Sequence, residues 1–399
     1  MSQSKEIVRI AAKGDGATED GTHVPFAAPG DRLCPDGSLD HGPHHVEPTC
    51  RHFGKCGGCQ LQHCDDAALA QFVSDRVVNA AIGQGIEPRN LAPAYLSPPR
   101  SRRRATLHAV NGGGKPLIGF REAGSHRLVG IAECPVLRPE LFDLVGKLRD
   151  LLAGQQGKYA AEIDLVLADQ GVACAIKGLT FDGLEAAESL MDFTNASGVA
   201  RLAVDEGFGP EPRWEPEPVT VTLGNVPVAL PSGAFLQATE DGEARLVAAA
   251  REWLSGAGTI ADLFSGLGTF AFALSGSARV LAAEASRASH LACKAAADRS
   301  GKKVQALHRD LFRNPLQKDE LDRFDSVLLD PPRAGAREQV ARIAESTVAS
   351  VVYVSCNPSS WARDGKVLVD SGFQLEEVRP VGQFRWSTHV EIASHFIRV

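Results

Sequence analysis

From residue 259 onward this 399-residue chain alternates short apolar runs with helical stretches. The apolar runs fall at 259–264, 279–284, 303–308, 325–330, 350–355, 375–381 and 390–397, and helical stretches separate the first six. That alternation calls for an α/β fold with a mostly parallel sheet and helices on both faces. The seventh run follows the sixth without a helix, so it is expected to pair antiparallel, at or near the sheet edge. Open α/β sheets bind ligands beyond the carboxyl ends of their strands. The residues that close each strand are therefore the first candidates for chemistry.

Val354-Ser355-Cys356-Asn357-Pro358-Ser359 puts a thiol where the fifth strand ends. A packing cysteine more often sits inside a strand or helix, so one that opens into the turn is a candidate nucleophile. Asp262-Leu263-Phe264-Ser265-Gly266-Leu267-Gly268-Thr269-Phe270-Ala271 closes the first strand and opens a helix, with glycines that let backbone approach a ligand. Glu284 ends the second strand, where a carboxylate can take a ribose diol. Asp310, after the third, would stand near an adenine amino group or be a solvated surface residue. The glycine run also fits G-x-G-x-x-A, so a nicotinamide cofactor has to be weighed. The fourth strand decides. In Asp330-Pro331-Pro332-Arg333 two prolines cannot continue the ladder, and the stiff turn holds Asp330 beside a flat substrate. This turn resembles the acidic-Pro-Pro-aromatic motif of nucleic-acid amino methyltransferases, with Arg333 replacing the aromatic. S-adenosylmethionine (SAM) is therefore expected rather than NAD.

Upstream, residues 6–33 read as short strands separated by Gly/Asp turns, part of a small barrel, and 34–48 as a linker. A helical stretch is expected from roughly 65 to 84, and mixed strands and helices over 102–205, with strands at Ala105–Val110 and Ile163–Ala168. The Pro/Glu-rich run 209–218 marks a boundary or long loop. The expected units are thus 1–48, 49–220 and 221–399.

No run of 18 or more apolar residues exists, so no membrane span is expected. The start Met1-Ser2-Gln3-Ser4-Lys5-Glu6 lacks an apolar h-region, so it is not a signal peptide and a cytoplasmic protein is expected. Nine cysteines in that setting point to metal binding or catalysis rather than disulfides. Cys50-x5-Cys56-Gly57-Gly58-Cys59 supplies three thiols in one flexible segment, with Cys134 the natural fourth and Cys64 its rival. Four thiolates satisfy a 4Fe–4S cluster or a tetrahedral zinc, and the single C-x2-C favours iron–sulfur. His41, His44 and His45 lack a paired cysteine cluster and read as solvent-exposed. The net charge of −7 argues weakly against a nucleic-acid partner, but binding depends on local patches. The densest basic run, Arg100 to Arg104, is either a solvated strand edge or a phosphate-contacting stripe.

Taken together these motifs resemble the RNA uracil-5-methyltransferase family. The carriers are the Cys50–Cys59 run with Gln60-x-Gln62-His63, Arg102-Arg103-Arg104-Ala105-Thr106, Phe235-Leu236-Gln237 and the glycine run after Asp262. Asp330-Pro-Pro-Arg333, Ser355-Cys356-Asn357-Pro358 and His389-Val390-Glu391 follow in the family's order. The resemblance implies a C-terminal Rossmann-like SAM methyltransferase domain, a mixed α+β central domain and a short N-terminal TRAM/OB-like β segment. It also implies catalysis by Cys356 and Glu391. SAM would be held by Gln237, Phe264, Gly266, Gly268, Glu284, Asp310 and Asp330. Arg102, Arg103, Arg104 and Arg333 would contact RNA, and Cys50, Cys56, Cys59 and Cys134 would hold the cluster. The cluster cysteines point to the ribosomal-RNA branch (23S), with transfer RNA the second candidate and no obligate protein partner implied. Gly382, where aspartate is usual, Ser265, where cysteine is common, and the short barrel depart from the pattern. Competing readings are a cytosine-5 methyltransferase, whose thiol sits in a Pro-Cys pair, and a non-catalytic metal-stabilised RNA-binding module. A flavin- or folate-dependent methylase would need a glycine fingerprint near the N-terminus.

Overall fold

A computed structural model describes residues 4–155 and 157–399. Its largest sheet carries the site. Across it the strands run Val304–His308, Arg279–Glu284, Thr259–Leu263, Ser326–Leu329, Ser350–Ser355, Glu391–Arg398 and Phe373–Gly382. The first five are parallel, and Ser326–Leu329 is buried along its whole length, as a strand covered on both faces must be. The α/β fold and the strand–helix order agree with the sequence reading.

The last strand pairs antiparallel near the sheet edge, as expected, but is not the edge itself. Glu391–Arg398 lies inside the sheet, antiparallel to both Ser350–Ser355 and Phe373–Gly382. Its residues from Glu391 to Phe396 are all buried, so it could not serve as a half-wet edge. Asn90–Leu91 and Tyr95–Leu96, from far upstream, cover the outer side of Phe373–Gly382 instead.

The helix Asp66–Gly83 starts where Asp65 accepts the Ala68 N–H, and it buries Leu69, Phe72, Val73 and Val77. These pack into the core beneath the large sheet with Trp361 and Phe396. Each such side chain contributes about 1.5–3 kcal/mol on burial, so this segment is fixed to the C-terminal layer.

A second, seven-stranded sheet is built from residues 104–214. Its edge strand Pro210–Trp214 pairs antiparallel with Arg201–Asp205, where a boundary or loop was expected. Prolines are tolerated there because one side of an edge strand needs no ladder bonds. Between the two sheets, Thr220–Leu223 and Val226–Ala229 form a separate hairpin.

At the N-terminus five short strands form one sheet, and the last, Leu39–Asp40, falls in the segment expected to be a linker. His41 is exposed, as expected, but His44 and His45 are anchored. His45 Nδ1 lies 2.8 Å from Asp31 Oδ2 and His44 Nδ1 lies 3.0 Å from Asp65 Oδ2. Fully buried Asp31 additionally accepts the Ala28 and Gly42 N–H groups, which knits the turn together. A Gly/Pro-rich composition conceals such long-range polar anchors. Among the described residues no helix is long and apolar enough to cross a membrane.

Candidate active site

The carboxyl ends of the parallel strands open into a cavity of about 560 Å³. Phe264, Gly266, Glu284, Phe312, Gln237 and Asp330 line one part of it. Pro332, Arg333, Cys356, Phe384, His389 and Glu391 line the other. Residues from five strand ends and the hairpin-to-helix segment thus meet in one space.

The first part is shaped by backbone. Phe264, Gly266 and Gly268 have φ of +64°, +55° and +92°, so the chain turns left-handed three times between strand and helix. A Cβ on Gly268 would lie 2.9 Å from Phe272 Cε2 and 3.0 Å from Cys293 Sγ, so only glycine fits. Gly266 donates its N–H to Glu284 Oε2 at 2.9 Å, while Glu284 Oε1 accepts from the Ser286 N–H at 2.6 Å. Two strand ends are thereby bolted together with the carboxylate facing the cavity. Gly268 lies behind the lining, and so does Asp310. Asp310 is tied to its own turn, accepting the Phe312 and Arg313 N–H groups at 3.0 and 3.2 Å. The Phe312 ring, 5.3 Å from that of Phe264, reaches the cavity in its place.

The second part is built on two turns. Cys356 ends Ser350–Ser355, and Asn357 caps the helix Pro358–Asp370 by accepting the Ser359 N–H at 3.1 Å. Asn357 Nδ2 and Ser360 Oγ both donate to the Arg333 carbonyl, at 2.9 and 3.1 Å. The thiol turn and the Pro-Pro turn therefore move as one piece, and Arg333 Nη2 lies 2.8 Å from His389 Nδ1. Burial pushes the Cys356 thiol up, Glu391 adds to this, and Arg333 opposes it. Burial also raises Glu391 to about 7, against the pull of Gln383, Arg104 and Arg333. Asp330 is pushed well up by burial and by Glu391 and Asp262, and Asp262 itself is raised to about 7 by burial. A carboxyl titrating near neutrality is suited to taking a proton from a reacting carbon.

The three arginines expected to form a phosphate stripe point in different directions. Arg103 is buried, with Nη2 2.6 Å from Glu243 Oε2 and Nε donating to the Gln237 carbonyl at 3.1 Å. It is a strut between the central sheet and the helix Glu240–Trp253, and it is closed to phosphate. Arg102 lies half-buried over the Phe384 ring at 5.1 Å. Arg104 lies over the Phe235 ring at 4.6 Å, and burial pulls its guanidinium down to about 10. Strand alternation separates neighbours to opposite faces, so a basic run in sequence is not one surface.

Cys50, Cys56, Cys59 and Cys134 line a second cavity, of about 770 Å³. The loop reaches it because Gly57 passes close to the neighbouring strand, where a Cβ would lie 2.9 Å from the Arg121 carbonyl oxygen. Cys64 is buried elsewhere, near Asp31 and Asp65. Burial raises the thiols of Cys50, Cys56 and Cys59, the last to about 12, and neighbouring thiols add to it. Among the described residues no three Cys, His, Asp or Glu side chains gather closely enough for a single metal ion. The two cavities adjoin, sharing Arg104, Gly233, Ala234, Arg333, Phe384 and His389. The Gln60 and Leu61 N–H groups both donate to the Trp386 carbonyl, at 2.7 and 2.9 Å, which ties the cysteine loop to the segment entering Glu391.

The sequence reading missed Phe312 and the buried Gln383. Gln383 donates from Nε2 to Gln237 Oε1 at 2.9 Å. Nothing local in the sequence marks it.

A family model described as tRNA (Uracil-5-)-methyltransferase matches residues 228–399. The chain is 50% identical over 396 residues to an uncharacterized RNA methyltransferase of Zymomonas mobilis, covering 99% of this chain and 100% of that protein. It is 33% identical over 374 residues to the 23S rRNA (uracil(1939)-C(5))-methyltransferase of Pectobacterium carotovorum, covering 90% of this chain and 82% of that one. Among solved structures, the Pyrococcus abyssi tRNA (uracil-54, C5)-methyltransferase in complex with S-adenosyl-L-homocysteine superposes with a TM-score of 0.76. It covers 99% of this chain and 100% of its own, and at 22% identity it speaks for the fold alone. Relatives this similar over nearly the whole length, and a cavity lined at once by a strand-end thiol and a glycine-turned strand end, place the chain in the RNA uracil-5-methyltransferase family, as a SAM-dependent RNA methyltransferase.

Proposed function

We propose that the protein methylates C5 of a specific uridine in RNA, with 23S ribosomal RNA the favoured substrate. The observation that carries this is the convergence of Cys356 and Glu391, from two different strands, at one end of the cavity whose other end holds Gly266 and Glu284. Uracil C5 is a poor nucleophile toward a methyl sulfonium. Attack of the Cys356 thiolate on C6 forms an S–C6 bond and moves the electron pair into an enolate, which makes C5 nucleophilic. C5 takes the methyl group from SAM and leaves S-adenosylhomocysteine. Glu391 then removes the C5 proton, the C5–C6 double bond re-forms, and Cys356 departs as thiolate. Asp330 and Arg333 hold the uracil edge. Phe264 packs on the cofactor, Glu284 takes its ribose, and Gln237 lies on the same side. The target uridine must be unpaired or flipped out to reach a thiol this deep.

Cys50, Cys56, Cys59 and Cys134 line one cavity and their thiols act on one another, which supports the reading of four-cysteine ligation of a 4Fe–4S cluster. Held by Cys50, Cys56, Cys59 and Cys134, it would order the RNA-binding segment, since methyl transfer requires no electron. Arg102 and Arg104 face the RNA path between the two cavities, and we place the protein in the cytoplasm.

The ribosomal substrate is favoured by the four cysteines and by the relative named for 23S rRNA. Transfer RNA is the second reading, favoured by the family model's description. Mapping 5-methyluridine in ribosomal and transfer RNA from a deletion strain tests both. Loss of one 23S site is expected, loss of a transfer-RNA site would reassign the substrate, and no change in either would overturn the proposal.

A further inference from the structure

We propose that Gln383 is a positioning residue, the middle of an amide bridge that joins Asp330 to Glu391 and holds the Glu391 carboxylate in place for proton removal. This rests on the reading of Glu391 as the base. Val381 lies directly opposite Glu391 in the sheet ladder, so Gln383, two residues on, is the diagonal neighbour on the same face. Its Nε2 donates to Gln237 Oε1 at 2.9 Å, and Gln237 Nε2 donates onward to Asp330 Oδ2 at 3.2 Å. That diagonal position sets the Gln383 amide beside Glu391, where it favours the charged carboxylate against the effect of burial. Both glutamines are buried.

The polarity of this chain is fixed by chemistry. Gln383 turns its NH₂ toward Gln237, and when Glu391 is charged it only accepts, so the second hydrogen of that NH₂ is the one that can serve it. Gln237 in turn gives an N–H to Asp330. These donors offset part of the repulsion by which Glu391 raises Asp330.

An independent observation shows that space is reserved for this side chain. Gly242 lies in the first turn of the helix Glu240–Trp253. A Cβ there would stand 2.8 Å from Gln383 Cβ and 3.0 Å from Gln383 Oε1. The Thr239 Oγ1 that caps this helix would stand 2.7 Å from the same Cβ, so glycine leaves room for the cap and the amide together.

The charged groups facing Glu391 are Arg104 from the central sheet, Arg333 and Asp330 from the Pro-Pro turn, and Cys356 from the neighbouring strand. Asp262 and Glu243 act on it through Asp330. Gln383 is the uncharged donor among them. Without it the charged form of Glu391 is disfavoured, and the pH at which Glu391 works moves up.

The test is single-turnover methylation of in vitro transcribed 23S rRNA with labelled SAM, reading adduct formation and release of methylated RNA separately across pH. In Gln383→Met, which keeps the volume and removes the donors, the midpoint of release should rise by about one unit. Release should slow about tenfold well below the midpoint and match wild type well above it. Gly242→Ala keeps the amide but displaces it, and should move the midpoint in the same direction, which keeps the test decisive if Gln383→Met folds poorly. Slowing by one factor at every pH, or an unmoved midpoint in the variants that fold, would overturn the bridge. A low-pH limb that persists unchanged in Glu391→Gln would instead overturn the reading of Glu391 as base.

Discussion

Arg103→Gln separates a structural arginine from an RNA-binding one. Arg103 and Glu243 are both nearly buried, their atoms 2.6 Å apart. Removing one partner of a buried pair typically costs about 3–5 kcal/mol, because the other charge is left uncompensated. For a cooperative unit of roughly 150–250 residues each kcal/mol lowers Tm by about 2–4 °C. A fall of about 6–20 °C follows in thermal denaturation. Burial already raises the Glu243 carboxyl while Arg103 opposes that rise. In the variant it climbs further, so the native state keeps a proton that the unfolded chain has lost. Stability then falls as pH rises, by up to about 1.4 kcal/mol per unit above the unfolded pKa. The deficit against wild type should be small near pH 5 and large near pH 8, and Glu243→Gln added to Arg103→Gln should recover much of it. Unchanged Tm together with a flatter salt dependence of RNA binding would refute the reasoning and restore Arg103 to the phosphate surface.

Gly268→Ala should weaken SAM binding tenfold or more by calorimetry, since its φ of +92° and its contacts with Phe272 and Cys293 exclude a Cβ. Gly266→Ala, with nothing near its Cβ, should lose less; equal affinities for wild type and both variants would contradict the account of this turn. Anaerobically purified protein should carry about four irons and four sulfides per chain, by the four-cysteine ligation proposed. Cys134→Ser should lose them and Cys64→Ser should keep them; the reverse pattern would reassign the fourth ligand, and stoichiometric zinc from iron-replete anaerobic preparation would replace the cluster.

Much of the site was legible because strand ends are local features. A thiol after Val351–Val354, a Pro-Pro pair after Leu329 and glycines after Leu263 each mark the point where a buried run must turn toward a ligand. What could not be read is pairing across long sequence separations. The apolar run at 390–397 announces a strand but not its neighbours: Phe373–Gly382 takes it off the edge, and Asn90–Leu91 and Tyr95–Leu96 cover that strand in turn. Arg103 reads like its basic neighbours until the helix bearing Glu243 packs against it. Asp310 lies two residues past the end of its strand, and there its carboxylate closes its own turn while Phe312 takes the cavity. Gln383 and Gly242 explain one another only once strand and helix are adjacent.

The central claim is that Cys356 and Glu391 act at successive steps on one uridine. The direct measurement is a denaturing gel of Glu391→Gln mixed with 23S rRNA and methyl-labelled SAM. Attack and methyl transfer should proceed while release slows by about 10²–10⁴-fold, so a denaturant-stable protein–RNA adduct carrying the label should accumulate, and Cys356→Ala should give neither adduct nor methylated RNA. Wild-type turnover by Glu391→Gln, or methylation by Cys356→Ala, would contradict the account.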